Sequence, residues 1–466
     1  MGLLERRPIQ ASRKSWSCKS ASGEKSSLQE RLRLNQRVET RKTFIDLFAG
    51  CGGLSLGLMS SGWVGLFAVE KDRLAFETLK HNLLGATGPF RYVWPEWLPQ
   101  EAQTIGRFIK SHIGDLRKLQ GQVDLICGGP PCQGFSLAGL RKRDDPRNAL
   151  FRHYVEVVEA VRPRFLLLEN VRGIDVDFGK KTKKKKRGPG RPSAPFSHKI
   201  KQTLEQVGYK VYPKLVRAAE FGVPQLRPRY FMIAVRAELV PQPDQFDPFR
   251  QLDVVRRDFL TLKKLPVKKL ISVKQAISDL EIRSRPLIDC VDSPGFKQVA
   301  YTSPRTYYQR LLHGSMNGTA PNSLRLARHH DDIRKRFANI LRTCRRGVQL
   351  CVRDRKRLGL KKHCTVPLDP SKPSHTLTTL PDDILHYSEP RILSVREYAR
   401  LQSFPDWYDF KGKYTTGGDR RVRECPRYTQ VGNAVPPFLA ECLGALLEVV
   451  DNEVRGTVQP RAARAW

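Results

Sequence analysis

Strand-like and helix-like segments alternate along this chain, and the alternation limits the folds that it can adopt. Short apolar segments typical of strands span residues 43–48, 64–70, 123–127, 165–169 and 230–235. Amphipathic segments typical of helices lie between them at 54–61, 73–82, 147–161 and 198–207. Strands that alternate with helices of this length usually form a parallel sheet covered by helices. We therefore predict an α/β fold with a parallel sheet.

Changes in composition divide the chain into parts. The N-terminal residues are polar and basic, which predicts a disordered tail. The α/β alternation later gives way to an irregular, basic, helix-leaning stretch, and helix-like segments at 393–401 and 438–449 then return to the main domain. The predicted parts are a tail (1–41), a main domain in two pieces (42–242 and 373–450), an inserted second domain (243–372) and a C-terminal tail (451–466).

A run of basic residues interrupts the main domain at 180–192. Its sequence, KKTKKKKRGPGRP, contains eight Lys and Arg. Such a run repels itself, so we expect an exposed loop. Gly190-Arg191-Pro192 resembles the centre of a motif that places arginine in the minor groove of A·T-rich DNA. A charge run that only increases solubility is the alternative, and the sequence leaves both open.

The overall charge indicates a polyanionic partner. The 466 residues include 83 Lys and Arg against 46 Asp and Glu, a formal net charge of +37, and this balance favours nucleic acid. The ten cysteines form no Cys-x-x-Cys pair, so we expect neither a disulfide framework nor a metal site. No apolar run approaches the length of a membrane span, and the N-terminus lacks the apolar stretch of a secretory signal. We expect a soluble, intracellular protein with free thiols.

The first strand ends in a glycine-rich turn that is typical of a ligand site. Phe48, Gly50 and Gly53 lie in this turn, and Leu54 begins the following helix. Glycines there allow positive φ angles and a close approach of a ligand to the backbone. The turn lacks the third spaced glycine of a dinucleotide site, and Asp46 before an aromatic residue suits a cationic, adenosine-bearing ligand. A nicotinamide dinucleotide and a tight turn without a ligand are the alternatives.

Two acidic residues extend this candidate site. Glu70 ends the next strand, where a carboxylate can bind both hydroxyls of a ribose. Asp115 falls near the end of a weak third strand, from which it would reach an adenine amino group. A solvated turn aspartate is an equally good interpretation of Asp115.

A cysteine follows a strand that ends abruptly. In Gly128-Gly-Pro-Pro-Cys132 the prolines stop the strand, because proline cannot continue a hydrogen-bonded ladder. Cys132 is then held on a stiff turn at the edge of the sheet where ligands usually bind. A buried structural cysteine is the alternative, since free cysteine is among the most buried residue types. The flanking prolines and the following loop favour an exposed nucleophile.

An acid and two arginines complete the set of candidate residues. Glu169 leaves a wholly apolar strand, where partial desolvation favours the protonated carboxyl group and suits a donor to a ring nitrogen. Arg227 and Arg229 have the spacing at which side chains of an extended segment point the same way. They would hold a phosphate or a carbonyl group and pair with Glu169. A helix cap and a plain surface pair are the respective alternatives.

These motifs, taken in order, resemble the DNA (cytosine-5) methyltransferases that use S-adenosylmethionine. The resemblance covers roughly residues 43–235 and 373–447, and its motifs stand in the family's linear order. They are Asp46–Gly53, Pro130–Gln133, Glu169–Val171, Gln225–Arg229, Arg396–Pro405 and Gln430–Pro437. The resemblance implies a Rossmann-like methyltransferase fold with a mixed seven-stranded sheet. It also implies that the inserted domain is a small target-recognition domain.

The resemblance further implies roles for the candidate residues. Cys132 as thiolate would add to C6 of a cytosine that is flipped out of the duplex. Glu169 would bind ring N3, while Arg229 would orient the base and Arg227 would stand near a phosphate. The residues implied to line the S-adenosylmethionine site are Phe48, Gly50, Gly53, Leu54, Glu70, Asp115, Pro130 and Asn433.

Two related functions compete with this interpretation. A relative that acts on tRNA typically carries Phe-Thr where this chain has Phe135-Ser136, and a catalytically silent DNA-binding relative would lack Cys132 or Glu169. We therefore expect a monomeric enzyme that methylates cytosine at a specific sequence in double-stranded DNA, with a cognate restriction endonuclease as a further partner. A prokaryotic origin, which the compact chain favours, would place it in the cytoplasm with the nucleoid. A eukaryotic origin would place it in the nucleus.

Overall fold

The computed structural model describes residues 41–85, 88–130, 148–175, 195–360, 364–416, 420 and 423–456, without the side chains of Asn148 and Ala149. The described residues from Lys42 onward form one compact unit. Residues 1–40, the basic run 180–192 and residues 457–466 lie outside the described residues, so the predictions for them are not tested.

Six strands form the central sheet of the described chain. They are β1 (Thr43–Leu47), β2 (Val64–Val69), β3 (Leu125–Gly128), β4 (Phe165–Asn170), β5 (Tyr209–Arg217) and β7 (Pro228–Arg236). Their order across the sheet is β2-β1-β3-β4-β7-β5. Short strands outside the sheet are β6 (Gln225–Leu226), β8 (Leu287–Asp289), β9 (Lys297–Val299), β10 (Val366–Pro367), β11 (Ser374–His375) and β12 (Ile384–Leu385).

The direction of the strands differs across the sheet. Strands β1 to β4 are parallel, whereas β7 runs antiparallel to both of its neighbours, β4 and β5. The prediction of a fully parallel sheet is therefore wrong for this edge. Residues 218–227, all of them described, join β5 to β7 without an α-helix, and antiparallel strands need no helical crossover. The sheet is mixed, as the resemblance implied.

Among the described residues the sheet has six strands, one fewer than the resemblance implied, and β2 forms the edge opposite β5. An irregular segment covers this β2 edge. The Val93 N–H donates to the Gly65 carbonyl oxygen at 2.8 Å, and the Gln103 N–H donates to the Glu70 carbonyl oxygen, also at 2.8 Å. Between these two bonds, residues 94–102 run away from β2, so they do not form a regular hydrogen-bonded ladder with it.

Helices cover both faces of the sheet, which confirms the α/β class. In β1, Phe44 packs into one hydrophobic core while Ile45 and Leu47 pack into another, because successive side chains of a strand point to opposite faces. The helices in chain order are α1 (Gly53–Ser60), α2 (Arg73–Leu83), α3 (Ile105–Lys118), α4 (Asn148–Val161), α5 (Phe196–Gln206), α6 (Leu252–Leu262), α7 (Val273–Ile277), α8 (Tyr307–His313), α9 (Asp331–Thr343), α10 (Val352–Arg357), α11 (Val395–Leu401), α12 (Arg427–Asn433) and α13 (Pro437–Val454). Helices α1, α2 and α13 cover the first core, and α3, α4 and α5 cover the second. Short 3-10 turns lie at Arg172–Asp175, Ala218–Phe221, Ala237–Leu239, Ser278–Leu280 and Pro381–Asp383.

The predicted inserted domain, 243–372, divides between two hydrophobic clusters. Apolar side chains from 246–312 belong to the first core, together with α1 and α13. A separate small cluster joins residues of α9 and its neighbours to the later segment 385–392. Residues 243–372 therefore do not share one core, and their assignment to an inserted domain stays a prediction.

One apolar helical segment was not singled out in the sequence. Within the described residues, Arg427–Val454 has the length and hydropathy of a membrane span. Two thirds of its most apolar window are buried inside the protein. In α13, Leu439, Leu443 and Leu447 are fully buried in the first core, so the apolar character of this segment is explained by packing.

Candidate active site

The glycine turn after β1 has the left-handed backbone that its glycines predict. The φ angles of Phe48, Gly50 and Gly52 are 63°, 57° and 86°. Phe48 adopts this conformation without being glycine, which is uncommon and often marks a functional turn. A β-carbon on Gly50 would meet nothing within 4 Å, so there is open space above the turn at this point.

Glu70 connects the turn to the start of α2. Its Oε2 accepts a hydrogen bond from the Gly50 N–H (2.9 Å), and its Oε1 accepts one from the Asp72 N–H (2.7 Å). Burial raises the pKa of Glu70, and these two bonds act against the shift. Each carboxylate oxygen keeps a further lone pair, so Glu70 can accept from a ligand hydroxyl while it holds the turn.

Gly53 and Leu54 are explained by packing. A β-carbon on Gly53 would stand 2.4 Å from the Val435 carbonyl oxygen, so only glycine allows the segment after α12 to come this close. Leu54 is 5% exposed and belongs to the first core. The close contact brings Asn433, which is exposed at the end of α12, to the glycine turn. A cofactor role for Gly53, Leu54 and Asn433 stays a prediction.

Asp46 faces the protein interior. It is 1% exposed, and its Oδ2 accepts a hydrogen bond from the Ser55 hydroxyl. Burial raises its pKa to about 7, although the bonds from Ser55 and Cys127 lower it. Because Asp46 is buried, the structure does not support its interpretation as a residue that suits a cationic ligand. Its carboxyl group joins β1 to α1.

The strand predicted to end at Asp115 is wrong, because Asp115 lies in α3. Its carboxylate pairs with Lys118 at 2.9 Å and with His112 at 3.7 Å on the same helix. The adenine contact predicted for Asp115 therefore loses the strand-end placement on which it was based. Helical spacing of Ile105, Phe108 and Leu116 was the signal in the sequence that predicts α3 instead.

Gln103 is a residue of this site that the sequence analysis missed. Its backbone bonds to the Glu70 carbonyl oxygen, and its side chain is 7% exposed. It therefore lies at the edge of the sheet directly beyond Glu70. Thr104 follows and caps α3 by accepting from the Arg107 N–H, so a helix-cap signal before a helical apolar pattern marks the position.

Glu169 and Arg229 form the ion pair that the sequence predicted. Glu169 Oε1 lies 2.7 Å from Arg229 Nε, and both side chains are mostly buried. The pairing follows from the sheet, since Glu169 in β4 faces Phe231 across the antiparallel pair with β7. Burial lowers the pKa of Arg229, while the charge of Glu169 raises it. The result is a carboxyl group with a donor fixed beside it at the end of the sheet.

The strand that leads to Cys132 ends against this pair. A β-carbon on Gly129 would stand 3.0 Å from Glu169 Oε2, and Asn170 Nδ2 donates to the Pro130 carbonyl oxygen at 3.3 Å. Pro130 itself is buried. Cys132 lies two positions further on, outside the described residues, as does most of the loop that follows. The structure thus brings the start of the cysteine segment to Glu169.

The structure gives no support to a phosphate contact of Arg227 or to a pair with Glu169. Arg227 is 1% exposed, and its guanidinium donates to the carbonyl oxygens of Leu377 (3.3 Å) and Gly432 (2.8 Å). Burial lowers its pKa well below the ordinary value, and the charge of Arg229 acts in the same direction. Arg227 therefore connects the strand segment to the later part of the chain.

Comparisons with known proteins agree with this arrangement. The model of the C-5 cytosine-specific DNA methylase family matches residues 42–448. The Type II methyltransferase M.DdeI of Desulfomicrobium norvegicum is 33% identical over 409 residues, which cover 86% of each chain. The Type II methyltransferase M.XorII of Xanthomonas oryzae is 30% identical over 433 residues, covering 87% of this chain and 84% of the relative.

A solved structure shows the same fold. The crystal structure of a DNA modification methyltransferase encoded within an Escherichia coli prophage is 24% identical and superposes with a TM-score of 0.60, covering 88% of this chain and 99% of that one. The fold and the site thus define a Rossmann-like methyltransferase. The chain belongs to the C-5 cytosine-specific DNA methylase family, and its activity is that of a DNA (cytosine-5-)-methyltransferase.

Proposed function

We propose that this enzyme transfers a methyl group from S-adenosylmethionine to C5 of cytosine at a specific sequence in double-stranded DNA, through a covalent bond between Cys132 and C6 of a flipped base. The observation that carries the proposal is the Glu169–Arg229 ion pair of 2.7 Å. The backbone of Gly129 and Pro130 lies against Glu169 and Asn170. A cytosine bound by this pair would therefore be within reach of a thiol two residues later.

The described residues fit the cofactor. Glu70, which is partly exposed, offers carboxylate oxygens for ribose hydroxyls beside the open space above Gly50. Phe48 is partly exposed in the same turn, and the exposed Asn433 is brought to it by the contact at Gly53. S-adenosylmethionine, when bound, supplies the electrophilic methyl group that C5 accepts. Phe48, Gly50, Glu70, Pro130 and Asn433 would hold it, and Gln103 takes the place proposed for Asp115.

Each catalytic residue has a distinct task on the base. Cytosine C5 inside a duplex is out of reach, so the target base must leave the stack. The Cys132 thiolate forms a bond to C6, and the ring electrons then make C5 nucleophilic. Glu169, protonated or sharing a proton with N3, hydrogen-bonds the base at N3, where negative charge develops, and Arg229 fixes Glu169 and binds O2. Loss of the C5 proton and expulsion of the thiolate restore the aromatic ring.

The relatives support a bacterial setting for this enzyme. M.DdeI and M.XorII are Type II methyltransferases of bacteria, which supports the proposal that this chain protects its own recognition sequence in a bacterial cytoplasm, close to the nucleoid, against a cognate restriction endonuclease. We propose a monomer, since one chain supplies every residue named above. Residues 243–372 would supply target recognition.

Trapping with a substrate analogue tests the covalent step. Duplex DNA carrying 5-fluorocytosine at the target should give a protein–DNA complex that survives denaturation, because the C5 fluorine cannot leave as a proton does. Cys132→Ala should abolish both trapping and methyl transfer while S-adenosylmethionine binding stays within a few-fold. Cys364→Ala, which removes a partly exposed cysteine elsewhere, is the matched control and should trap normally.

The same protein preparations show which nucleic acid is the substrate. Transfer of tritiated methyl groups should occur to duplex DNA and not to tRNA. A trapped complex in Cys132→Ala would contradict the covalent role of this residue, and preferential labelling of tRNA would contradict the substrate.

A further inference from the structure

Residues 327–360, called here the basic lobe, carry a denser positive charge than the region before them. The basic lobe contains eleven Lys and Arg against three Asp, whereas residues 243–313 contain thirteen Lys and Arg against eight Asp and Glu. The three Asp of the lobe pair with Arg334, Arg336 and Arg357 of the lobe itself. Within the described part of the chain, Arg345, Arg353 and Lys356 are exposed and form no ion pair with a carboxylate. The lobe thus presents uncompensated positive charge.

The basic lobe has its own small core. Ile340, Cys344 and Leu350 are buried in it and pack against Leu385 and Ile392, outside the two large cores. Helix α9 contributes Phe337 and Ile340 to this core, whereas α10 has no buried residue. Most of their side chains therefore remain at the surface, where long basic residues can reach a partner.

Hydrogen bonds join the basic lobe directly to the segment beside the active site. The Gly347 carbonyl oxygen lies 2.9 Å from His375 Nε2, and His375 in β11 pairs with Leu226 in β6. The Thr376 hydroxyl donates to the Leu226 carbonyl oxygen at 2.9 Å. Leu226 stands three residues before Arg229, which pairs with Glu169. The basic lobe is thus connected, through His375 and Leu226, to the segment that leads to Arg229.

Residues 246–313 are fixed to the main body instead. The Phe259 ring packs on Phe438 of α13 with centroids 6.0 Å apart, and Lys263 pairs with Glu441 at 2.9 Å. Asp279 is fully buried and pairs with Arg400 of α11. These contacts use the apolar and charged side chains of this stretch for packing within the protein.

We propose that the basic lobe, and not residues 246–313, is the surface on which duplex DNA docks by its phosphates. The proposal rests on the proposed function and narrows the predicted target-recognition domain 243–372 to its later half. Phosphate contacts by Lys and Arg release counterions, so each contact steepens the salt dependence of binding by about 0.9 in log affinity per log salt. The lobe would set the position and register of the duplex.

Two matched triple variants test the docking surface. The lobe variant is Arg345→Gln, Arg353→Gln and Lys356→Gln. The control variant is Lys268→Gln, Lys269→Gln and Lys274→Gln, which removes the same charge from exposed positions in 246–313. Duplex affinity is measured by fluorescence anisotropy at several salt concentrations. Melting temperature and calorimetric affinity for S-adenosylmethionine show that each protein remains folded.

In the lobe variant the slope of log affinity against log salt concentration should be flatter by roughly 2 to 3. Binding should also be weaker at every salt concentration. The slope of the control variant should differ from that of the wild type by no more than the contribution of about one phosphate contact. An unchanged slope in the lobe variant, or an equal loss in the control, would overturn the proposal. If the lobe variant unfolds, Arg334→Gln with Lys335→Gln on α9 replaces it and must flatten the slope. Methyl transfer by the wild type tests the proposed function separately from these slopes.

Discussion

Gly129 lies so close to Glu169 that a β-carbon on Gly129 would stand 3.0 Å from Glu169 Oε2. The other oxygen of the same carboxylate is held 2.7 Å from Arg229 Nε. A movement of the carboxylate away from Gly129 would therefore disturb the ion pair. A side chain at position 129 would therefore press on the carboxylate of Glu169.

Gly129→Ala should lower single-turnover methyl transfer by about tenfold to a hundredfold, because a small displacement of a positioned catalytic group is enough to lose such a factor. Gly114→Ala is the matched control, since a β-carbon on Gly114 in α3 would meet nothing within 4 Å. Rates are measured with saturating DNA and cofactor, beside the melting temperature of each variant. Equal rates in both variants would show that the position of the Glu169 carboxylate does not depend on its contact with Gly129.

Glu70→Ala should weaken binding of S-adenosylmethionine by roughly 1.5 to 3 kcal/mol, the usual contribution of a hydrogen bond to a charged group. The loss has two sources, because the variant also leaves the Gly50 and Asp72 N–H groups without their acceptor. Titration calorimetry measures the affinity. Glu77→Ala on the exposed side of α2 is the control and should bind normally. An unchanged affinity in Glu70→Ala would place the ribose elsewhere.

The stability of the Asp46→Asn variant relative to the wild type should increase as the pH rises. The pKa of Asp46 is raised from 3.8 to about 7 in the folded protein, so between these values the folded state holds a proton that the unfolded state has lost. The wild type therefore loses stability as the pH rises from about 4 to about 7, and its stability with respect to this group is constant above that range. Asparagine does not titrate and removes this dependence.

Melting temperatures of wild type and Asp46→Asn at pH 5 and pH 8 provide the measurement. The difference between variant and wild type should shift in favour of the variant at pH 8. A shift in the opposite direction would mean that Asp46 is stabilised as a carboxylate by Ser55 and Cys127 more than burial disfavours it.

The Glu169–Arg229 pair was predictable because each residue stands at the end of a strongly apolar strand. Arg227 was not, although it is only two positions from Arg229. The rule that residues two apart point the same way holds within one strand, and Arg227 lies between β6 and β7, where its N–H bonds back to the Gln225 carbonyl oxygen. The spacing of the two arginines does not reveal that the chain leaves β6 and enters β7 between them.

Asp115 shows a different limit of local patterns. Gly114-Asp115 has the composition of a turn, yet the apolar spacing from Ile105 to Leu116 places both residues inside α3. Tertiary packing of that apolar face outweighs the weak preference of two residues for a turn. The role of Gln103 beside Glu70 depends on a contact between the edge of the sheet and a distant irregular segment, which no local pattern predicts.

Arg400→Met should destabilise the protein by about 3 to 5 kcal/mol, because it leaves two buried carboxylates without their partner. Arg400 is fully buried and pairs with Asp279 and, at 2.7 Å, with Asp406. Burial alone would lower the pKa of Arg400, but the two carboxylates raise it well above its ordinary value, and Arg400 in turn lowers the pKa of Asp406. Asp279 is 121 residues away in sequence, so the pair also joins the region before the basic lobe to α11.

Urea unfolding with a fluorescence readout measures the loss, and Arg334→Met, whose ion pair with Asp331 is 4.0 Å long and exposed, is the control. That variant should unfold at the same urea concentration as the wild type, since exposed ion pairs contribute little to stability. The double variant Arg400→Met with Asp279→Leu should recover part of the loss, because it removes one of the unpaired buried charges. A double variant that is less stable than Arg400→Met alone would show that Asp279 contributes through its other contacts, the hydrogen bond from Tyr301 among them, rather than through Arg400.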